Sequence, residues 1–218
     1  MKITIVLFII CLLCSSCGMM MKSMMGLKNP KVESYETINE LIYEVGCSNF
    51  PNYTLVGTSD SSIIYNNIFK SSIGSLLFDS LGNRLCRLDK KKCTGVVLSE
   101  LFKSGTGNDF ILCQNDTANL THVLKELQLV CGSQYEKKHD YYLVFYWSRF
   151  LGGERRVKDN LKWIKSISNN SEHDIAVILV NTDLQESWGL KKGDKMKLKI
   201  KFIGNKSASV ILGEIPYI

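Results

Sequence analysis

Two uninterrupted apolar stretches, YYLVFYW at 141–147 and IAVILV at 175–180, narrow the folds open to this chain. A strand with one wet face alternates apolar and polar residues, so runs without alternation predict strands covered on both faces. Between them, residues 154–167 place Val157, Leu161, Ile164 and Ile167 at the spacing of a helix with one apolar face. Strand, helix, strand with short links predicts a parallel crossover unit, which requires a sheet with helices laid against it.

The remaining pattern predicts an α/β (α+β) protein. Residues 32–45 carry Val32, Tyr35, Ile38, Leu41, Ile42 and Val45 at helical spacing, with Gly46 as a C-terminal cap. Short β-type runs follow at 53–58, 62–69 and 75–78, then Asp79-Ser80-Leu81-Gly82-Asn83 and a further run at 84–88, a hairpin signal. Residues 96–103 and 117–130 read as helices, the second with Val123, Leu124, Leu127 and Val130 on one face, and 109–113 reads as a short strand or loop. The polar stretch around 132–140 is the expected internal boundary. A helical turn at 183–188 precedes two last runs, 195–203 and 207–212, joined by Gly204-Asn205 and expected to pair as an antiparallel hairpin. The division expected is a leader at 1–16, a tether at 17–30, an α+β region at 31–135 and a second domain at 136–218.

Composition excludes several classes. With 45% hydrophobic residues, 22% charged and three prolines, the chain is not disordered in character. After the first fourteen residues no apolar run approaches the roughly 20 needed to span a bilayer. The surplus of 27 Lys+Arg over 21 Asp+Glu contains no run of five basic residues, which argues against a nucleic-acid partner.

Residues 1–17, MKITIVLFIICLLCSSC, read as an export signal: one Lys, an apolar stretch and then small residues before a cysteine. Ser15, Ser16 and Cys17 resemble the lipobox of bacterial lipoproteins, in the relaxed form found in Bacteroidota, with Cys14 where Leu is usual. The resemblance implies that Cys17 is the lipid-attachment residue and that the protein is held on a membrane of the cell envelope, facing the periplasm or the outer surface. Ordinary signal cleavage near the same site is the alternative. The five methionines at 19–25 then belong to a tether rather than to a soft-metal site, because only Cys17 accompanies them.

The order strand, helix, strand, helical turn, strand, strand, together with YWSRFLGGERR after the first buried strand and VNTDLQESWG after the second, resembles the thioredoxin-like domain of extracytoplasmic thiol-disulfide oxidoreductases. In that family an aromatic strand ends in Trp-x-x-Trp-Cys-Gly-Pro-Cys. Trp147 and Phe150 match the aromatics, Gly152 the glycine, while Leu151 and Glu154 replace the cysteines and Gly153 the proline. Asp183 matches the family's acid after the second strand. A thiolate nucleophile and a resolving thiol are both missing, so the resemblance implies the fold without its redox chemistry. It also marks Trp147, Phe150, Leu151, Gly152 and Glu154 as the turn that would hold a protein or peptide partner.

The other chemistry-bearing residues give less. Cys86 and Cys93 flank the basic turn RLDKKK and are candidates for a disulfide or a reactive thiol. No cysteine spacing fits a zinc site, and no catalytic residue, metal or cofactor is implied. The loop histidines His122, His139 and His173 read as solvated. Asn52, Asn115, Asn119, Asn169 and Asn205 each begin an Asn-x-Ser/Thr triplet. The reading is a lipid-anchored binding or accessory module with a redox-inactive thioredoxin-like domain. The alternative is a divergent thiol-disulfide oxidoreductase or peroxidase using a cysteine of the N-terminal half.

Overall fold

The computed structural model describes residues 31–56, 74–87, 98–99, 110–113, 119–132, 139–149, 153–190, 193, 195–201 and 207–214. Cys17 and the tether, the run at 62–69, most of 96–103, Cys93, and the turn residues Phe150, Leu151 and Gly152 lie outside them. In chain order the elements are β1 (Val32–Glu33), α1 (Tyr35–Glu44), β2 (Asn52–Leu55), β3 (Ser75–Asp79), β4 (Arg84–Arg87), β5 (Phe110–Leu112), α2 (Leu120–Lys125), β6 (Leu127–Cys131), β7 (Tyr141–Trp147), α3 (Gly153–Asn169), β8 (Ile175–Asn181), β9 (Leu184–Gln185), a 3-10 turn (Glu186–Trp188), β10 (Lys195–Lys201) and β11 (Ser207–Glu214).

Seven strands form one mixed sheet in the order β5-β4-β3-β7-β8-β2-β6. β7 and β8 are its parallel centre, Tyr141 opposite Ile175 and Trp147 opposite Asn181. β2 extends the parallel set beyond β8, and β3 runs antiparallel on the far side of β7. The unbroken apolar character of β7 follows from this position. Leu143 and Trp147 pack into the cluster containing α1 and α3, while Tyr142 and Val144 pack into the cluster containing Phe78 and Leu120 of β3 and α2. β8 divides the same way, Val177 and Leu179 to the first side and Ile178 and Val180 to the second.

α3 buries Val157, Leu161 and Ile164 against the sheet, each contributing about 1.5–3 kcal/mol by leaving water. α1 starts at Ser34, whose hydroxyl accepts from Thr37 N at 3.4 Å, and stops at Gly46, which has φ 67. That left-handed conformation lets Gly46 N and Cys47 N close on the carbonyls of Tyr43 and Ile42, both at 2.9 Å. The β3–β4 hairpin forms as the Gly-Asn signal requires: the Asp79 carboxylate accepts from Leu81 N and Asn83 N at 3.0 and 2.7 Å.

Two expectations need correction, and the expected antiparallel hairpin of the last two runs holds. Residues 117–130 are not one helix. α2 ends at Lys125, and Leu127–Cys131 is a strand pairing antiparallel with β2, Leu129 opposite Tyr53. The spacing of Leu127 and Val130 suits a helix, but the edge of β2 offers backbone partners that a further helical turn would leave unmade. The hairpin at the C-terminal end does form, as β10 and β11, yet it is a separate two-stranded sheet. The antiparallel place beside β7 is already occupied by β3. For the same reason the polar stretch at 132–140 does not divide two sheets: β2 to β6 come from before it, β7 and β8 from after it, and all seven hydrogen-bond in one sheet.

Candidate functional site

β7 and β8 run parallel, so Trp147 and Asn181 end at the same edge of the sheet. In open sheets, ligands bind in the crevice outside such carboxyl ends. Here the strand ends and the chain leaving them contribute polar side chains that are buried: Ser148 after β7, Asn181 as the last residue of β8, and Thr182, Asp183 and Gln185 after it.

Asp183, 1% exposed, is the hub. Its carboxylate accepts from Ser148 Oγ at 2.6 Å, from Arg149 N at 3.0 Å to each oxygen, and from Asn181 Nδ2 at 2.8 Å. Burial pushes its pKa up, the donors from Arg149, Ser148 and Asn181 oppose this, and the nearby charge of Glu33 adds to the rise. Asn181 Oδ1 accepts from Asp183 N and Gln185 Nε2, both at 3.0 Å, closing the turn on itself. Thr182 N and Trp147 O meet at 2.9 Å, so the two strand ends are tied by backbone as well as side chain.

Arg149 carries this cluster outward. Its guanidinium meets Glu33 of β1 at 2.9 Å and Glu154 of α3 at 3.5 Å. Glu33 is 7% exposed and also accepts from Thr37 Oγ1 at 2.8 Å. β1 is held there by parallel pairing with β9, Val32 opposite Leu184. An open groove of about 310 Å³ lies beside the cluster, lined by Glu33, Ser34, Tyr35, Glu36, Glu186 and Ser187. Its carboxylates give the wall a negative potential. Glu36 is held ionised more firmly than usual by hydrogen bonds from the Ser34 side chain and its own backbone.

The turn marked by the resemblance is thus described at its two ends. Trp147 belongs to the core at 4% exposure and donates from Nε1 to Asn52 Oδ1 at 3.4 Å. Glu154 stands in the first turn of α3, paired with Lys158 at 2.9 Å. Its pKa is lowered, chiefly by the Lys158 hydrogen bond and charge and then by Arg149. Lys158 continues to Glu44 of α1 at 2.6 Å, linking the two helices. Gly153 has φ 74, which a proline ring, confined near −65°, cannot adopt.

Among the described cysteines one pair is bridged, and Cys47 and Cys131 are free thiols. Cys86 is bridged to Cys113, joining β4 to the end of β5. Cys47 is buried in the core with its sulfur 3.7 Å from Leu161 O, and burial raises its pKa. Cys131 is raised by burial too, with the Asn52 side chain partly offsetting the rise. Of the glycosylation-type triplets, Asn52 and Thr54 are buried in β2, and Asn119 caps α2 by accepting from His122 N at 2.8 Å. His139 Nδ1 lies 2.9 Å from the Asp174 carboxylate at the opposite edge of the sheet from Asp183. Among the described residues no cluster of metal ligands occurs.

Sequence reasoning marked Asp183 through the resemblance but missed its partner Ser148 and the Glu33–Arg149 pair. The available signal was weak: a Ser-Arg immediately after a buried strand, and a Glu just before a helix cap. No family model, no curated protein and no solved structure matches the chain.

Proposed function

We propose that the protein is a lipoprotein anchored to the cell envelope through Cys17, with a redox-inactive thioredoxin-like domain that serves as a binding or accessory module. The observation that carries this is Glu154. Where a thiol-disulfide oxidoreductase needs its resolving thiol in the first turn of the helix after its central strand, this chain has a carboxylate locked between Arg149 and Lys158. A carboxylate so paired neither attacks nor resolves a disulfide.

Two further features support the reading. The parallel β7–α3–β8 unit with an antiparallel hairpin beside β7 is the arrangement expected of a thioredoxin-like core, the hairpin here being supplied from before the unit rather than after it. The Cys86–Cys113 bridge suits an oxidising compartment outside the cytosol. The partner is a protein or peptide held at the turn 147–154 and the adjoining groove, whose carboxylates favour a segment bearing Lys or Arg.

The test has two arms. Cys17→Ala should release the protein from the membrane fraction; retention at the wild-type mature mass would refute the anchor. Crosslinking from a photoreactive residue placed at Ser187, on the groove wall, should capture a partner in envelope preparations, and charge reversal at Glu36 and Glu186 should abolish capture. Crosslinking unaffected by the reversals would refute the groove as the binding face.

A further inference from the structure

Between residues 191 and 206 the chain has seven lysines and one acid, Asp194. Within this segment β10 reads KMKLKIK. The period of two along a strand places Lys195, Lys197, Lys199 and Lys201 on one face and Met196, Leu198 and Ile200 on the other. The register with β11 carries the division across the ribbon, because directly opposed residues share a face. Lys195 is opposite Glu214, Lys199 opposite Ser209 and Lys201 opposite Ser207, whereas Leu198 is opposite Val210 and Ile200 opposite Ala208. At the register shift, Met196 pairs with Gly213 and Lys197 with Ile211. The extra residue, Leu212, is therefore in β11, and alternation along β10 continues unbroken. The ribbon belongs to neither the seven-stranded sheet nor the β1–β9 pair.

We infer that the lysine face of the β10–β11 ribbon is a membrane contact, docking on anionic lipid headgroups of the bilayer. The inference rests on the lipid-anchor reading, which puts the domain beside such a surface. Alternate residues on a strand are about 6.8 Å apart, so Lys197, Lys199 and Lys201 make a cationic row roughly 14 Å long, while Lys195 is faced by Glu214. An extended row of like charges meets several phosphates of a planar surface at once, whereas a pocket for a single anion needs its donors to converge. A basic patch adds to a lipid anchor as a second attachment, and each lysine near an anionic surface gives about fivefold in affinity. Its consequence is orientation: the anchor sets the distance to the membrane, and the ribbon sets which side of the domain faces it.

The full-length protein, purified from envelope membranes, is titrated with phosphatidylcholine vesicles and with vesicles in which about a third of the lipid is phosphatidylglycerol, at about 0.1 M salt. The expected preference for the anionic vesicles is roughly 100-fold or more. Lys197→Gln/Lys199→Gln should cut it about 25-fold, Lys197→Arg/Lys199→Arg should keep it, and binding to neutral vesicles should not change. Ser207→Glu/Ser209→Glu, which leaves every lysine in place, should reduce it too, and circular dichroism checks that each variant is folded. Equal binding to both vesicles, or a preference that survives the glutamine pair, overturns the inference and leaves the lysines as guards against edge pairing. A lysine-dependent affinity for duplex DNA without preference for anionic lipid overturns it as well. Because each comparison uses the same N-terminal segment, failure of the anchor appears separately, as a Cys17→Ala protein that partitions like the wild type.

Discussion

Ser148 donates to Asp183 across 2.6 Å, and this bond between residues 35 apart in sequence ties the end of β7 to the chain leaving β8. The bond and its neighbours shape the sheet edge from which Arg149 reaches Glu33 and Glu154. Asp183→Ala would leave the buried donors of Ser148, Arg149 and Asn181 without their acceptor. Each orphaned donor costs about 1–3 kcal/mol, and partial relaxation brings the expected loss to about 2–4 kcal/mol in urea unfolding. A loss below about 0.5 kcal/mol would mean that the hub is dispensable.

The same carboxyl predicts a pH dependence. Its folded pKa is raised, so between the ordinary carboxyl range and the raised value the native state holds a proton that the unfolded chain has released. Stability contributed by Asp183 is therefore largest at the acid end of that window and falls as pH rises through it. Asp183→Asn cannot titrate and should lack this slope. Unfolding free energies of both proteins across the acidic range check it: parallel curves would show that Asp183 titrates normally.

Gly132 has φ 92, and a Cβ built there would sit 2.9 Å from Pro51 Cα and 3.0 Å from Phe50 O. Both neighbours are backbone and cannot swing aside. Gly132→Ala combines this overlap with a backbone conformation that L side chains avoid, a loss of about 2 kcal/mol or more. Gly189 has φ 63 with nothing within 4 Å of its Cβ position, so Gly189→Ala should cost only the conformational part, about 1 kcal/mol. Melting temperatures that fall equally for the two would refute the role given to Pro51.

The contrast between Leu143 and Leu129 explains what was legible in the sequence. Leu143 lies in a run whose neighbours are all apolar, because helices cover both sides of β7, and that run alone predicted a central strand. Leu129 is half-buried on a strand that, among the described residues, pairs only with β2, and its local spacing satisfied a helix equally well. Its state was decided by an edge some 75 residues earlier, which no local pattern carries. The site was legible to the same degree. Asp183 stood out by following a buried strand, whereas Glu33, Asn52 and Ser148 are brought to it only by the order in which strands assemble. The lysine alternation of β10 was hidden because apolar residues interrupt every basic one.

The bridge between Cys86 and Cys113 closes a segment with a sequence separation of 27 at the β4–β5 edge of the sheet. Chain-entropy arithmetic for a loop of that size gives about 3–4 kcal/mol of stabilisation. The Cys86→Ser/Cys113→Ser protein should unfold at correspondingly lower urea, and dithiothreitol should move the wild type, but not the double variant, by the same amount. A wild type insensitive to reductant would show that the bridge contributes nothing.

The last prediction concerns Glu154. Its pKa is lowered mainly by Lys158, so its contribution to stability is present above the ordinary carboxyl range and is lost as pH falls through the depressed value. The side chain is 46% exposed, and solvent screens the pairs it makes, so Glu154→Gln should shift stability by no more than about 0.5 kcal/mol at neutral pH. Its effect on chemistry should be nil, since no thiolate occupies the start of α3 for its charge to tune. Insulin reduction and peroxide-dependent thiol oxidation by the mature protein should stay at background in the wild type and in Glu154→Gln alike. Cys86→Ser and Cys93→Ser are run beside them, with Cys113→Ser as the control that breaks the same bridge while keeping the Cys86 thiol. A rate well above background that disappears in Cys86→Ser or Cys93→Ser and survives in Cys113→Ser would make the protein a thiol oxidoreductase of the N-terminal half, and the paired carboxylate of Glu154 would then mark only the place that catalysis had left.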